Sequence, residues 1–127
     1  MNTTLVMDEM KKTAENELGR FFSLFGDGVE NLVMPKSIVD EVWHEKLKRE
    51  DYEEFCMRNA NQLVGHAPIN GKGEIGWFTK YENKFGKLDK VWFTDKKGTL
   101  DAESYRKYIE SKNPSMEWDC VPIGTDD

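Results

Sequence analysis

Both histidines and one of the two cysteines of this chain lie between residues 40 and 66, close to an aspartate. Asp40 and His44 are four residues apart in a segment with helical apolar spacing, so their side chains lie on one face, about one turn apart. Cys56 and His66 follow in the next predicted helix and the loop after it. Imidazole, thiolate and carboxylate groups bind Zn²⁺, usually as four ligands in a tetrahedron. The sequence therefore predicts a zinc site formed by Asp40, His44, Cys56 and His66.

Each of these residues also has an ordinary structural interpretation. A single His beside Trp43 on a helix is commonly a partly buried core residue, and a lone cysteine is commonly a small buried hydrophobe. The spacing contains no Cys-x-x-Cys pair and no His-x₃₋₅-His pair, so it matches no zinc-finger pattern. His44-Glu45 begins like the helical His-Glu-x-x-His of zinc proteases. Lys48 stands where the second His is required, which argues against that class.

The apolar spacing predicts a mainly α fold with minor β structure, in which a metal site staples a compact helical domain. Gly26, Ser37 as an N-cap, an Asp51-x-x-Glu54 capping box and Gly86 set helix boundaries. The predicted helices cover 3–25, 37–49, 52–62, 77–85 and 99–112, the last capped by Thr99. Four glycines and Pro68 between Gly65 and Gly76 predict a loop, which places His66 outside any helix.

Two further segments have their own predictions. Trp77, Phe78, Tyr81 and Phe85 share one helical face, which we interpret as core because no basic RNA-binding motif surrounds them. Extended structure is predicted at 91–93 and 116–123.

Length and composition restrict the class of protein. A chain of 127 residues is expected to form a single domain, 1–127, that buries a core without disulfides. The two cysteines, the absence of a signal peptide and the absence of a long apolar run predict a soluble protein of a reducing cytoplasm. A Cys56–Cys120 disulfide is the weaker alternative. The net charge of −6 opposes direct binding to nucleic acids or anionic membranes.

The charge is distributed unevenly along the chain. Residues 80–97 carry six lysines against three acids, whereas residues 101–127 carry seven acids against three basic residues. An acidic surface commonly serves only solubility. Its less common use is to occupy a basic groove on a partner, including one that normally holds nucleic acid.

Residues 37–93 resemble the glycine-rich-domain-containing-protein-like family. The resemblance lies in Val39-Asp40-Glu41-Val42-Trp43-His44, Tyr52-x-x-Phe55-Cys56, His66-x-Pro68, Trp77-x₃-Tyr81-x₃-Phe85-Gly86 and Trp92. It implies that 37–93 is a metal-binding module and that Asp40, His44, Cys56 and His66 form its polar cluster. The family has no settled activity. Many relatives have paired histidines where this chain has Gly65 beside His66, so Asp40, Cys120 and a water all remain alternatives for the fourth ligand.

The N-terminal helix at 1–25 and the helix with extended tail at 99–127 lie outside that resemblance. In size and acidity the whole chain resembles type II-A anti-CRISPR proteins, although no motif carries this likeness. It implies a phage-encoded inhibitor in the bacterial host cytoplasm, which binds a CRISPR effector nuclease and blocks loading of target DNA.

Two alternatives to a zinc-stabilised inhibitor remain open at this stage. In the first, a metal-dependent hydrolase, His44, Cys56 and His66 bind the metal, water fills the fourth position, and Glu45 or Asp40 acts as general base. In the second, the chain is a plain helical domain with no metal and an unknown partner.

Overall fold

The computed structural model describes residues 3–111 and 114–124, which form mostly α-helices with a small antiparallel sheet. The helices are α1 (Thr3–Gly26), α2 (Ile38–Leu47), α3 (Tyr52–Ala60), α4 (Phe78–Phe85) and α5 (Ala102–Ser111), with a 3₁₀ turn at Lys90–Phe93. The strands are β1 (Met34–Pro35), β2 (Val64–Ala67), β3 (Gly71–Glu74) and β4 (Ser115–Gly124). The predicted fold class is confirmed at this level. The tail residues 125–127 lie outside the described part.

Helix α1 packs against both α2 and α3. Its buried residues Ala14, Leu18, Phe21 and Phe22 repeat at helical spacing and form the face that packs on α2 and α3. Gly26 lets the end of α3 approach closely, because a Cβ at this position would stand 2.5 Å from the Ala60 carbonyl oxygen. The helix therefore carries both the core stripe and a contact that a larger side chain would obstruct.

Aromatic rings fill the centre of the core. The Phe21 ring lies 5.1 Å from Trp77, 5.9 Å from Trp92 and 6.3 Å from Trp43, measured between centroids. Such pairs contribute about 0.5–1.5 kcal/mol each beyond the area they bury. Trp77 and Tyr81 are fully buried, so the interpretation of the α4 aromatic face as core is confirmed.

Strand β4 organises the sheet. It pairs antiparallel with β1 on one edge and with β2 on the other, and its N-terminal half also pairs with β3. Strands β2 and β3 lie in the glycine-rich segment that the sequence predicted to be a loop. Glycine is depleted in strands and the segment shows no apolar alternation, so it carries no strand signal. The pairing with β4 determines its conformation instead.

Several boundaries differ from the sequence prediction. Ser37 caps α2 as predicted, its hydroxyl accepting from the Asp40 amide at 3.4 Å. The predicted capping box at Asp51 is wrong, because its side chain binds the Arg49 guanidinium at 2.9 Å and makes no cap hydrogen bond. Helix α5 begins after Asp101, which accepts from the Ser104 amide at 3.1 Å, and not at Thr99. Residues 91–93, predicted to be extended, belong to the 3₁₀ turn.

Candidate metal centre

Helix α2 holds the first two residues of the candidate site. With Ser37 capping its first turn, Asp40 and His44 lie one turn apart, and the Asp40 carboxylate is 3.7 Å from His44 Nε2. The Asp40 residue is 8% exposed, whereas 43% of the His44 side chain is exposed. The predicted pairing of these two side chains on one helix face is confirmed.

The sheet supplies the other two residues. His66 lies in β2 and not in a loop, and the register pairs it with Pro122 of β4, two residues beyond Cys120. The Nε2 atoms of His44 and His66 are 3.2 Å apart, and the Cys120 thiol is 2.9 Å from an Asp40 carboxylate oxygen. One ligand atom from each of these four residues lies within 4.8 Å of all the others.

A hydrogen-bonded tyrosine fixes β2 against α2. The Tyr52 hydroxyl accepts from Trp43 Nε1 at 3.1 Å and donates to the Val64 carbonyl at 2.6 Å. The Trp43 ring meets the His66 ring edge-on, with centroids 4.7 Å apart. This contact holds the His66 ring against α2, the helix that also carries His44.

Two of the interatomic distances are close to those of a tetrahedral zinc site, whereas the group as a whole spans up to 4.8 Å. Zinc bonds of about 2.0 Å to nitrogen and oxygen and about 2.3 Å to sulfur give ligand–ligand separations of about 3.3 Å, or about 3.5 Å when one ligand is sulfur. The separations of 3.2 Å between the imidazoles and 3.7 Å between Asp40 and His44 bracket the first value. The thiol and the Asp40 carboxylate are closer, at 2.9 Å, with the thiol donating a hydrogen bond to the carboxylate.

The electrostatics favour a protonated Cys120 thiol and a neutral His66 imidazole in this group. Burial raises the pKa of the Asp40 carboxyl, although the Cys120 hydrogen bond partly opposes this. Burial and the Asp40 carboxylate raise the pKa of the Cys120 thiol. Burial, aided by nearby His44, lowers the pKa of His66, which keeps that imidazole neutral and its lone pair available. A metal ion bound here displaces the thiol proton, because thiolate is the ligand form.

Cys56, predicted to be a ligand, does not join this group. It is fully buried in α3, the helix that packs on α1, and its thiol lies next to the Tyr52 hydroxyl. Cys120, one of the three alternatives for the fourth ligand, takes part in its place. Both cysteines are free, so the alternative of a disulfide is wrong for this structure. Sequence proximity to His66 favoured Cys56, whereas only the β4 register shows that Cys120 is near.

Glu45, one of the two proposed general bases, also lies apart from the group. Its carboxylate binds the Lys11 ammonium at 2.8 Å. Asp40 is the one of those two acids that the structure brings together with the histidines.

A surface cavity adjoins the candidate site. It has a volume of about 320 Å³, and Asp40 and His44 line it together with Lys36, Lys96 and Asp119. The cysteine and His66 do not line it. The group is therefore accessible to solvent along α2, whereas Asp40 and Cys120 are buried and His66 is half-buried in β2.

Comparisons of the chain with protein-family models, with curated proteins and with solved structures found no match. No described helix is both long enough and apolar enough to cross a membrane. The Asp40, His44, His66 and Cys120 group can hold a metal ion, and the functional argument starts from this group.

Proposed function

We propose that this chain binds one zinc ion through Asp40, His44, His66 and Cys120, and that the ion stabilises a protein that acts by binding a partner. The observation that carries the zinc assignment is the convergence of four ligand atoms within 4.8 Å. Two imidazoles and one thiolate are borderline and soft ligands, which favour zinc over calcium or magnesium, and zinc also accepts a carboxylate oxygen.

A structural role follows from the origin of the ligands. They come from α2, β2 and β4, so the ion crosslinks a helix to two strands of the sheet. Four protein ligands also close the coordination sphere, which is typical of structural zinc. Zinc binding supplies about 10–16 kcal/mol in zinc-finger peptides, and we expect a smaller share here because the core packs independently.

The proposed partner is a bacterial CRISPR effector nuclease, whose loading with target DNA this chain would block. Support comes from the net charge of −6 and from the exposed carboxylates Glu103, Glu110, Glu117 and Asp119. Each of the four carboxylates lies within 4 Å of a Lys or Arg of the chain, so part of its charge is already compensated. We therefore expect charge attraction to guide association while apolar contacts supply most of the affinity.

A hydrolase is the second candidate, and the cavity beside α2 is the observation that favours it. In this alternative His44, His66 and Cys120 bind the ion, a water completes the sphere, and Asp40 acts as general base. Cobalt substitution separates the two proposals. Azide added to the Co²⁺ protein should leave the visible spectrum of a closed site unchanged, whereas an open site exchanges its water for azide and the spectrum shifts.

The ligand assignment is tested by a matched pair of cysteine variants. Cys56 and Cys120 are both free and buried, so each replacement by Ser removes one buried thiol. We expect one zinc per chain in the wild type and in Cys56→Ser, and less than about a tenth of that in Cys120→Ser after mild chelation. Elemental analysis of the purified proteins gives the result. Full zinc content in Cys120→Ser would contradict the proposal.

The partner proposal is tested by titration against a type II-A effector nuclease. A binder should inhibit DNA cleavage in proportion to its ratio to the nuclease and saturate near one to one. Reversal of Glu103, Glu110, Glu117 and Asp119 to Lys should weaken inhibition, most strongly at low salt. Absence of binding would exclude this partner and leave the zinc assignment standing.

A further inference from the structure

A second and larger cavity lies between the α1–β1 connection and strand β4. Its volume is about 810 Å³, within the range of pockets that bind ligands or anchor side chains. Most of its wall is apolar, with Phe25, Leu32 and Val33 on one side and Trp118, Val121 and Pro122 on the other. It shares no residue with the candidate metal centre.

The backbone explains why the cavity is present. The chain bends at Gly28, with φ of +86°, and again at Asn31, with φ of 60°. It reaches β4 only at Met34, which pairs with Cys120. Beyond Cys120, the edge of β4 that faces away from β2 has no strand partner among the described residues. The pocket lies beside this unpaired stretch of β4, because Val121 and Pro122 belong to its lining.

The charged side chains that line the pocket are all acidic. Glu30 and Glu74 line the pocket, and both are exposed. Neither forms an ion pair with a described residue, in contrast to Glu103, Glu110 and Glu117, which each lie near a cation. None of the described residues that line the pocket is Lys, Arg or His. The pocket therefore combines an apolar floor with two uncompensated carboxylates.

We infer that this pocket is a docking site for a basic peptide segment of a partner protein. A large apolar side chain of the segment fills the space against Trp118 and Leu32, and neighbouring Lys or Arg side chains contact Glu30 and Glu74. Apolar anchors seated in a pocket supply most of the energy of protein interfaces, and complementary charges at the rim fix their register.

This inference rests on the proposal that the chain acts by binding another protein, but it requires neither the metal nor a nuclease. Its test therefore uses no nuclease. Random twelve-residue peptides displayed on phage are selected against the intact protein. The enriched sequences should carry Phe, Trp or Leu flanked by Lys or Arg.

Charge reversal then tests whether the peptide binds in this pocket. A synthetic copy of the enriched peptide should bind Glu30→Lys/Glu74→Lys about tenfold or more weakly than the wild type. The control is Glu50→Lys/Glu53→Lys, which has the same charge change at two exposed acids that do not line the pocket and form no ion pair with described residues. It should bind like the wild type. Replacing the apolar anchor of the peptide by Ala should abolish binding, and circular dichroism verifies that both variants are folded.

Three outcomes would overturn the inference. The first is failure to enrich any peptide, and the second is enrichment of sequences without basic residues. The third is equal loss of affinity in the two double variants, which indicates attraction to net charge alone. The nuclease titration is independent of these outcomes, so failure of the peptide inference can be told apart from failure of the proposed function.

Discussion

Two buried carboxylates in this protein have very different neighbours. Glu17 of α1 is 4% exposed, accepts hydrogen bonds from the Tyr81 hydroxyl and from Trp92 Nε1, and lies 3.4 Å from the Arg20 guanidinium. Asp40 of α2 is 8% exposed, but it is surrounded by a thiol and two imidazoles. Glu17 is next to hydrogen-bond donors and a permanent cation. The neighbours of Asp40 are instead groups that can each bind a metal ion through a lone pair.

This difference separates a structural polar network from a candidate ion site. A buried carboxylate is stable when donors satisfy its oxygens and a cation compensates its charge. Glu17 obtains both from within the chain, and burial together with its hydrogen bond raises the pKa of Tyr81, which keeps that hydroxyl a donor. Among the described residues, Asp40 accepts a hydrogen bond from the Cys120 thiol and has no Lys or Arg within 4 Å. A zinc ion would supply the missing charge.

The largest expected effect is loss of the metal itself. His66→Ala should lower the free energy of unfolding by about 3 kcal/mol or more in the presence of zinc, because the ion no longer crosslinks α2 to the sheet. Urea titrations with added zinc and with chelator measure this. In chelator, most of the difference between variant and wild type should vanish. An equal difference under both conditions would mean that His66 acts only by packing.

Replacing Glu17 should cost nearly as much without affecting the metal. Glu17→Leu leaves Tyr81, Trp92 and Arg20 without their shared acceptor, and we expect a loss of about 3 kcal/mol. Glu17→Gln keeps an acceptor oxygen and should lose less than half of that. Zinc content should stay at the wild-type level in both folded variants. Zinc loss in either would show that the two polar regions are coupled.

The effect of Asp40→Asn on stability should change sign between zinc-bound and zinc-free protein. In zinc, the affinity should fall by more than 100-fold if Asp40 is a ligand, or by about 10–100-fold if it only orients His44. In chelator at pH 7, the variant should be more stable than the wild type, because burial disfavours the charged carboxyl. Thermal unfolding under both conditions measures the reversal. Destabilisation in chelator would refute this electrostatic account.

The pH dependence of that variant is the smallest predicted effect. The folded-state pKa of Asp40 is raised above its unfolded value of about 3.9, so its contribution to stability is present below that pH and is lost as pH rises through the folded value. The advantage of Asp40→Asn in chelator should therefore shrink as pH falls from 7 toward 4. His66 contributes the opposite slope below about pH 6.5, since burial lowers its pKa, but the Asp40 carboxylate partly opposes that lowering, so this slope differs between the two proteins. Parallel unfolding curves measured in a His66→Gln background at each pH isolate Asp40, and an advantage that grows with acidity would contradict the sign.

The part of the site that the sequence predicted depends on local geometry. Asp40 and His44 are an i, i+4 pair on an amphipathic helix, and Ser37 marks where that helix begins, so spacing alone places both side chains. His66 was predicted from residue type, although its strand was taken for a loop. Cys120 joins the group through the register of β4 against β2, and no local pattern encodes this pairing.

The buried polar network around Glu17 could not be predicted from the sequence either. Glu17 has an ordinary position in the α1 sequence, and its burial depends on Tyr81 and Trp92, which lie more than sixty residues away. The helices were mostly predicted because their apolar period is visible in the sequence. The sheet was largely missed because glycine-rich strands gain their stability from β4, whose own extended structure the sequence did predict.

The order of the strands along the chain has a consequence for synthesis on the ribosome. Strand β4 is the partner of β1, β2 and β3, yet it is made after all of them. At about 5–20 residues per second, Met34 emerges roughly 4 to 17 seconds before its partner Cys120. During that interval the helices can form, while the segments that become β1, β2 and β3 lack their pairing partner and leave backbone groups open to chaperones and to other nascent chains. A ribosome that stalls before residue 115 would release a helical fragment with no sheet and an incomplete ligand set, and we expect cellular proteases to remove it.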